Sequence, residues 1–281
     1  KLLDEAIGSV EETPSRLALT AANYYQKTGR TDTAINLINK IKSKDFNLEI
    51  LKGRRRSTKG SSLSEVTVRS PQDGISEALF DIASALRDEY DNNASLIFVR
   101  LASYMRPEFH SAQILLGEIL EERGKYPEAI QAFERIPEES IFFRMAQLRL
   151  SQTLRQDDKP RAAIQVLERL KQRQPKNAEN FIRLGDIYRS QKDWDEAIFA
   201  YNTAINLTNR NSKSDWILYY SRGVALEQSG RWDMAEADFI KALELAPNQP
   251  FIMNYLGYAW TEQGINLKKA EQLIRKAVSL R

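Results

Sequence analysis

One spacing constrains this chain more than any other property: the same small and large apolar residues return every 34 residues. In 216–249 an apolar stretch containing Gly223 leads to a turn at Ser229-Gly230, and a second with Trp232, Ala235, Phe239 and Ala242 ends before Pro247. Residues 178–211 repeat those places as Leu184-Gly185, Tyr188, Trp194, Ala197, Tyr201 and Ala204. Apolar residues three and four apart, interrupted by a turn, predict two amphipathic helices per period, an A helix and a B helix. The frame continues toward the N-terminus without a gap. It gives Leu150-Ser151, Leu154, Ala163 and Leu167 in 144–177, and Leu116-Gly117, Leu120, Ala129 and Phe133 in 110–143. In 76–109 it gives Ile82-Ala83, Leu86, Ser95 and Val99.

Residues 212–215 shift the frame once, and two further units sit at the ends. Residues 15–48 match with Ala21-Ala22, Tyr25, Gly29 and Ala34, while 250–281 match with Leu256-Gly257, Trp260 and Ala270 after a turn lengthened at 265–267. Residues 1–14 read as part of the second helix of a preceding unit. Seven units predict an all-α stack with a long, thin core, one structural unit at any length. The small residues have a physical role in that stack. A Gly or Ala in helix A facing an Ala early in helix B lets the two helices cross closely, with Tyr126, Tyr188, Trp194 and Trp232 as inter-helix filling.

Residues 49–75 carry no repeat. The segment is longer than an ordinary helix connection, so it is expected to be a loop. Its first half is rich in Gly, Ser and Arg, while 65–71 alternates and precedes a turn signal. Six Lys or Arg against three Asp or Glu in this segment account for the whole formal charge of +3. The rest of the chain is neutral, which gives no footprint for nucleic acid. Arg54, Arg55, Arg56 and Lys59 are the candidate contacts for an anionic partner, protein or lipid, with a solvated loop as the plainer reading. The run 53–60 lacks the residue order of a phosphate-binding loop.

Chemistry is sparse elsewhere. There is no cysteine and a single histidine, His110. Disulfides, thiolate ligands and the usual zinc ligand sets are therefore excluded. No nucleophile-turn motif surrounds any serine. The chain is expected to be non-enzymatic and to need no cofactor or metal. No stretch is long and apolar enough to span a bilayer. Absence of thiols leans slightly to the periplasm or cell envelope, with the cytoplasm as the alternative.

These two-helix units of 34 residues are identified as members of the tetratricopeptide-repeat family, over all of the chain except 49–75. The resemblance implies a right-handed α-solenoid, a superhelix whose concave groove is lined by the second, fifth, ninth and twelfth residues of each A helix and receives peptides or proteins. On this sequence the expected groove residues are Asn23, Phe80, Arg87, Glu118, Arg155, Asp186, Arg189, Tyr220, Phe251, Asn254 and Tyr258. The apolar residues at the fifth places, Phe80, Ile114, Leu148, Ile182 and Tyr220 among them, are expected to form a continuous stripe. Tyr220, Phe251 and Tyr258 are the expected hot spots.

Family members that receive acidic chaperone tails use a basic clamp, and it is not assembled here: Leu19 precedes Asn23 where the clamp has Lys, and Arg149 stands where it has Asn. Segments 78–86, 215–232 and 254–278 resemble bacterial multi-repeat proteins of largely unassigned function, which often carry export signals and further repeats. That resemblance implies a fragment of a longer array and a scaffold or adaptor role in envelope assembly. The alternatives are a lipid- or polysaccharide-associated module using 49–75, and a self-associating spacer.

Overall fold

A computed structural model describes residues 70–88, 92–208 and 212–280, together with residue 68 and scattered positions between 21 and 36. Twelve α-helices have defined bounds, with one short 3-10 turn at Lys213–Asp215 and further helical positions between 21 and 36, an all-α stack of helix–turn–helix repeats among the described residues. The chain divides into two compact units, Lys1–Thr153 and Leu154–Arg281.

In the first unit α1 (Pro71–Asp88) packs on α2 (Asn92–Met105), α2 on α3 (His110–Glu122), and α3 on α4 (Tyr126–Glu134). The unit boundary falls within α5 (Phe143–Gln156). Helix α1 corrects one expectation, because it begins inside the stretch assigned to a loop up to residue 75. The Ser70 hydroxyl accepts from the Asp73 N–H at 3.1 Å, Pro71 occupies the first helical place, and Asp73 adds an acid to the first turn. These are three N-terminal helix signals in succession, and they override the turn propensity of Asp73-Gly74. At the α1/α2 crossing Ala83 holds the glycine place and Ser95 the early-alanine place. Ser76 donates to the Ala102 carbonyl at 2.8 Å and Ser95 to the Ala83 carbonyl at 2.7 Å, so their hydroxyls are satisfied inside the core.

The second unit continues with α6 (Pro160–Arg173), α7 (Ala178–Ser190), α8 (Trp194–Leu207), α9 (Trp216–Gln228), α10 (Trp232–Leu245), α11 (Pro250–Glu262) and α12 (Leu267–Ser279). Each packs on the next, and the two A helices α7 and α9 also touch. Between α9 and α10, Gly230 adopts φ +79° and the Arg231 N–H closes on the Leu226 carbonyl at 2.8 Å. Gly124 does the same between α3 and α4, with φ +69° and a 2.9 Å bond from Lys125 N to Leu120 O. This left-handed cap satisfies carbonyls that the ending helix leaves open. Between α7 and α8 a lysine holds the same conformation, Lys192 at φ +64°.

The crossing of each pair differs from expectation in an instructive way. The space left by the A-helix glycine is filled by a large residue one full helix later rather than by the early alanine. A Cβ on Gly117 would lie 2.5 Å from the Phe133 ring, on Gly185 2.7 Å from the Tyr201 ring, and on Gly223 2.8 Å from the Phe239 ring. The early alanines, Ala129, Ala197 and Ala235, are fully buried too, and they let the ring-bearing helix settle. Around these crossings Leu226, Leu256, Trp260 and Ala270 form a shared core, with Tyr188, Trp194, Trp232 and Tyr220 packed against it.

One polar tie runs through this core. Arg222 in α9 makes a bidentate contact with Asp238 in α10 at 2.6 and 2.7 Å, and its remaining nitrogen donates to Asn202 in α8 at 2.5 Å. Asp238 is buried, and desolvation pushes its carboxyl upward more than Arg222 pulls it down.

Gly185→Ala is expected to cost about 1–3 kcal/mol in urea unfolding, because the buried Tyr201 ring cannot yield to the new methyl. Gly230→Ala, which meets open space, is expected to cost about 1 kcal/mol from its left-handed backbone alone.

Candidate partner-binding face

The A helices of the second unit stand side by side, and their contacts fix a register from one repeat to the next. Tyr220 in α9 meets Tyr255 in α11 edge-on, ring centroids 5.6 Å apart, and both rest on the Phe239 ring. The Tyr255 hydroxyl donates to Glu227 at 2.5 Å. Beyond this packed layer, α9 and α11 present large apolar side chains to solvent: Ile217 is 50% exposed, Phe251 63% and Tyr258 54%. Phe251 and Tyr258 lie seven residues apart on α11, hence on one face.

The expected groove residues separate into three groups. Phe251 and Tyr258 are exposed, Asn254 between them is half-buried, and Arg155 at the end of α5 is exposed. Tyr220 is half-buried, held among Trp216, Phe239 and Tyr255, so its ring belongs mainly to the packing. Asp186 and Arg189 are tied to the core: the Tyr201 hydroxyl donates to Asp186 at 2.7 Å, and Arg189 Nε donates to that hydroxyl at 3.2 Å. Burial and the Asp186 carboxylate push the Tyr201 phenol well above its ordinary value, so it remains a donor.

In the first unit the expected apolar stripe is absent. The fifth-place residues Phe80, Ile114 and Leu148 are 7%, 3% and 7% exposed, which places them in the core. Phe80 packs on Phe109 with centroids 5.1 Å apart. The A-helix face is charged instead. Arg87 donates to Glu118 at 2.6 Å and to Glu122 at 2.5 Å, and Arg149 donates to the other Glu118 oxygen at 2.8 Å. Beside this network burial raises the Glu121 carboxyl above its ordinary value. Arg149 and Thr153 oppose the rise, and Glu118 and Glu122 add to it.

Exposed apolar residues in the first unit include Ile75 and Ile82 on α1 and a row on a B helix: Ile97 is 60% exposed, Leu101 45% and Tyr104 85%, spaced along one side of α2. Gln131, Arg135 and Glu138 fill the equivalent places one repeat later. Comparing those places along the repeats would have revealed this row from sequence. Asn23, Arg54, Arg55, Arg56 and Lys59 lie outside the described residues. Among the described residues no cluster of three or more His, Asp or Glu could hold a metal ion, and no helix is long and apolar enough to cross a membrane.

Comparison with known proteins agrees with this geometry. Models of the tetratricopeptide repeat match residues 76–142 and 216–249, and a model of the tetratricopeptide repeat-like domain matches residues 110–219. The chain is 30% identical over 106 residues, 38% of its length, to the protein CTR9 homolog of Arabidopsis thaliana, and covers 10% of that protein. It is 31% identical over 98 residues, 34% of its length, to the uncharacterized protein ycf37 of Guillardia theta, and covers 54% of it. The chain thus spans a tenth and about half of these two relatives. A solved structure of MamA from Desulfovibrio magneticus RS-1 superposes with a TM-score of 0.53 at 17% identity, over 65% of this chain and 99% of that one. At this identity the likeness concerns the fold alone.

Glu121→Gln is expected to raise the melting temperature at pH 7, with the gain shrinking as pH falls toward the ordinary glutamate value of 4.5. The sign follows from the raised pKa: the folded state favours the protonated acid, so the charged form costs stability above that value. Thermal melts of both proteins across that interval measure it.

Proposed function

The chain belongs to the tetratricopeptide-repeat family, and we propose that it is a scaffold or adaptor that receives a partner peptide or helix on the A-helix face of its second unit. Proteins of this fold are non-enzymatic modules for protein–protein interaction, and the described residues offer such a surface. The observation that carries the choice of unit is the exposure of Ile217, Phe251 and Tyr258, against the buried fifth-place residues and satisfied ion pairs of the first unit.

Physically, the face has the parts that a selective interface needs. Burying Phe251 and Tyr258 under a partner removes apolar area from water at about 25 cal/mol per Å². Aromatic residues that are exposed when free and desolvated when bound are the usual hot spots. Asn254 and Glu227 supply a polar rim that sets orientation. A place in envelope assembly is supported by the resemblance to bacterial multi-repeat proteins and by the lack of cysteine; fractionation of source cells tests it.

The test substitutes exposed residues rather than Tyr220, whose ring is packed among three aromatics. Phe251→Ala/Tyr258→Ala is expected to unfold within about 0.5 kcal/mol of the parent, as exposed side chains do. It is expected to lose roughly tenfold or more in affinity for partners recovered from the source cells. Equal recovery by parent and variant moves the binding surface elsewhere.

A further inference from the structure

We propose that Glu227, held by Tyr255 one helical turn from the exposed Tyr258, is an anchor for a basic side chain, a lysine or arginine of the bound partner. The inference rests on the A-helix reading above and specifies the chemistry of what that face receives.

The argument starts from the register of successive A helices. In the first unit the twelfth residue of one repeat faces the ninth and sixth of the next. Twelfth-place Arg87 pairs with ninth-place Glu118, and sixth-place Arg149 lies beside twelfth-place Glu121 and donates to Glu118. Arg87, Glu118, Glu122 and Arg149 thus neutralise one another, while Glu121 lies beside them without an ion pair among the described residues.

The same places in the second unit hold Glu227 at the twelfth, Tyr255 at the sixth and Tyr258 at the ninth. The direct contact from Tyr255 to Glu227 shows that the register is preserved. Where the first unit supplies Arg149, the second supplies a phenol. Glu227 therefore has hydrogen-bond partners, Tyr255 at 2.5 Å and Gln228 at 3.4 Å, but forms an ion pair with no Lys or Arg among the described residues. Some other carboxylates of this unit are ion-paired, as in Asp195–Arg231, Glu179–Arg183 and Asp238–Arg222, while Glu236 is held by hydrogen bonds from Trp260 and Asn266.

Tyr258 lies one helical turn beyond Tyr255 on the same face, and 54% of it is open to solvent. An oriented carboxylate beside an exposed aromatic face is a two-point site for a cation: the carboxylate takes a charge-assisted hydrogen bond, and the ring attracts the same charge through its quadrupole. An anionic residue at this place would meet Glu227 without compensation. A neutral one would leave its second oxygen partly stripped of water and unpaired. Basic character in the partner is also the opposite of what the acidic-tail clamp selects.

The test pans a random-peptide phage library against the intact chain and measures selected peptides by fluorescence anisotropy. The expected peptides contain a Lys or Arg whose replacement by Ala weakens binding about tenfold or more, the loss of one charge-assisted contact. Glu227→Gln, which keeps an acceptor for Tyr255 and so preserves the packing, is expected to weaken the same peptides by a similar factor. Glu227→Lys is expected to recover affinity for a peptide whose basic residue is changed to Glu. Peptides that lose affinity for Phe251→Ala/Tyr258→Ala but bind Glu227→Gln as well as the parent overturn the anchor and leave the A-helix face standing. A library that yields no binder, or binders indifferent to all of these substitutions, overturns both.

Discussion

Three of the helix pairs depend on the absence of one carbon atom. At Gly117, Gly185 and Gly223 an aromatic ring from the partner helix occupies the volume that a Cβ would need, at 2.5–2.8 Å. Contact this close sets the separation and rotation of the two helices, and those decide which residues of helix A look outward. The consequence reaches the surface through Tyr201. Its ring fills the space at Gly185 while its hydroxyl emerges beside Asp186 and Arg189 and binds both. Two residues on the candidate face are thereby held from beneath, so their geometry is a property of the core. Phe133 and Phe239 do the same packing without a hydroxyl, and they leave the polar residues above them to be organised by neighbours in the next repeat.

That organisation follows one register with different contents. Arg87, Glu118, Glu122 and Arg149 form a closed ion network, whereas Glu227 is held by the Tyr255 phenol, with Tyr258 one helical turn further along α11. Partly exposed ion pairs contribute little to stability, about 0–1 kcal/mol each. Their greater effect is on availability. A charge neutralised within the chain has little to gain from a partner, and one left without a counter-ion has more. Arg222 shows the opposite extreme, where Asp238 and Asn202 bind it inside the core and join three successive helices.

Much of the fold was legible because the repeat is a statement about packing. Gly223 with Phe239, and Gly185 with Tyr201, recur at one spacing since each pair must cross in the same manner, and two helices per period follow from that. The start of α1 was less legible. Ser70 and Pro71 signal a helix N-terminus, but Asp73-Gly74 signals a turn with similar strength, and only the cap bond decides between them. The face was harder still. Helical spacing tells which side of α1 carries Phe80, but the depth of burial depends on Phe109 at the far end of the same repeat. Phe80, Ile114 and Leu148 therefore read as a surface stripe when they are core. The Tyr255–Glu227 contact could have been found by carrying the spacing across repeats, from the twelfth place of one to the sixth of the next.

Two of the exposed apolar areas show why depth and charge must be considered together. Ile97, Leu101 and Tyr104 on α2 offer area, but the cation beside them, Arg100, is already matched by Glu128 at 2.5 Å. Such a surface gains free energy from any apolar cover and discriminates poorly, because burial has no direction. Phe251 and Tyr258 offer comparable side chains on the helix whose Tyr255 holds Glu227, a carboxylate with no Lys or Arg ion pair among the described residues. Covering that surface with the wrong partner buries an uncompensated acid, at a cost that can exceed the apolar gain. Selectivity on the second unit therefore arises from what Glu227 lacks, and the rings around it decide how strongly the right partner is held.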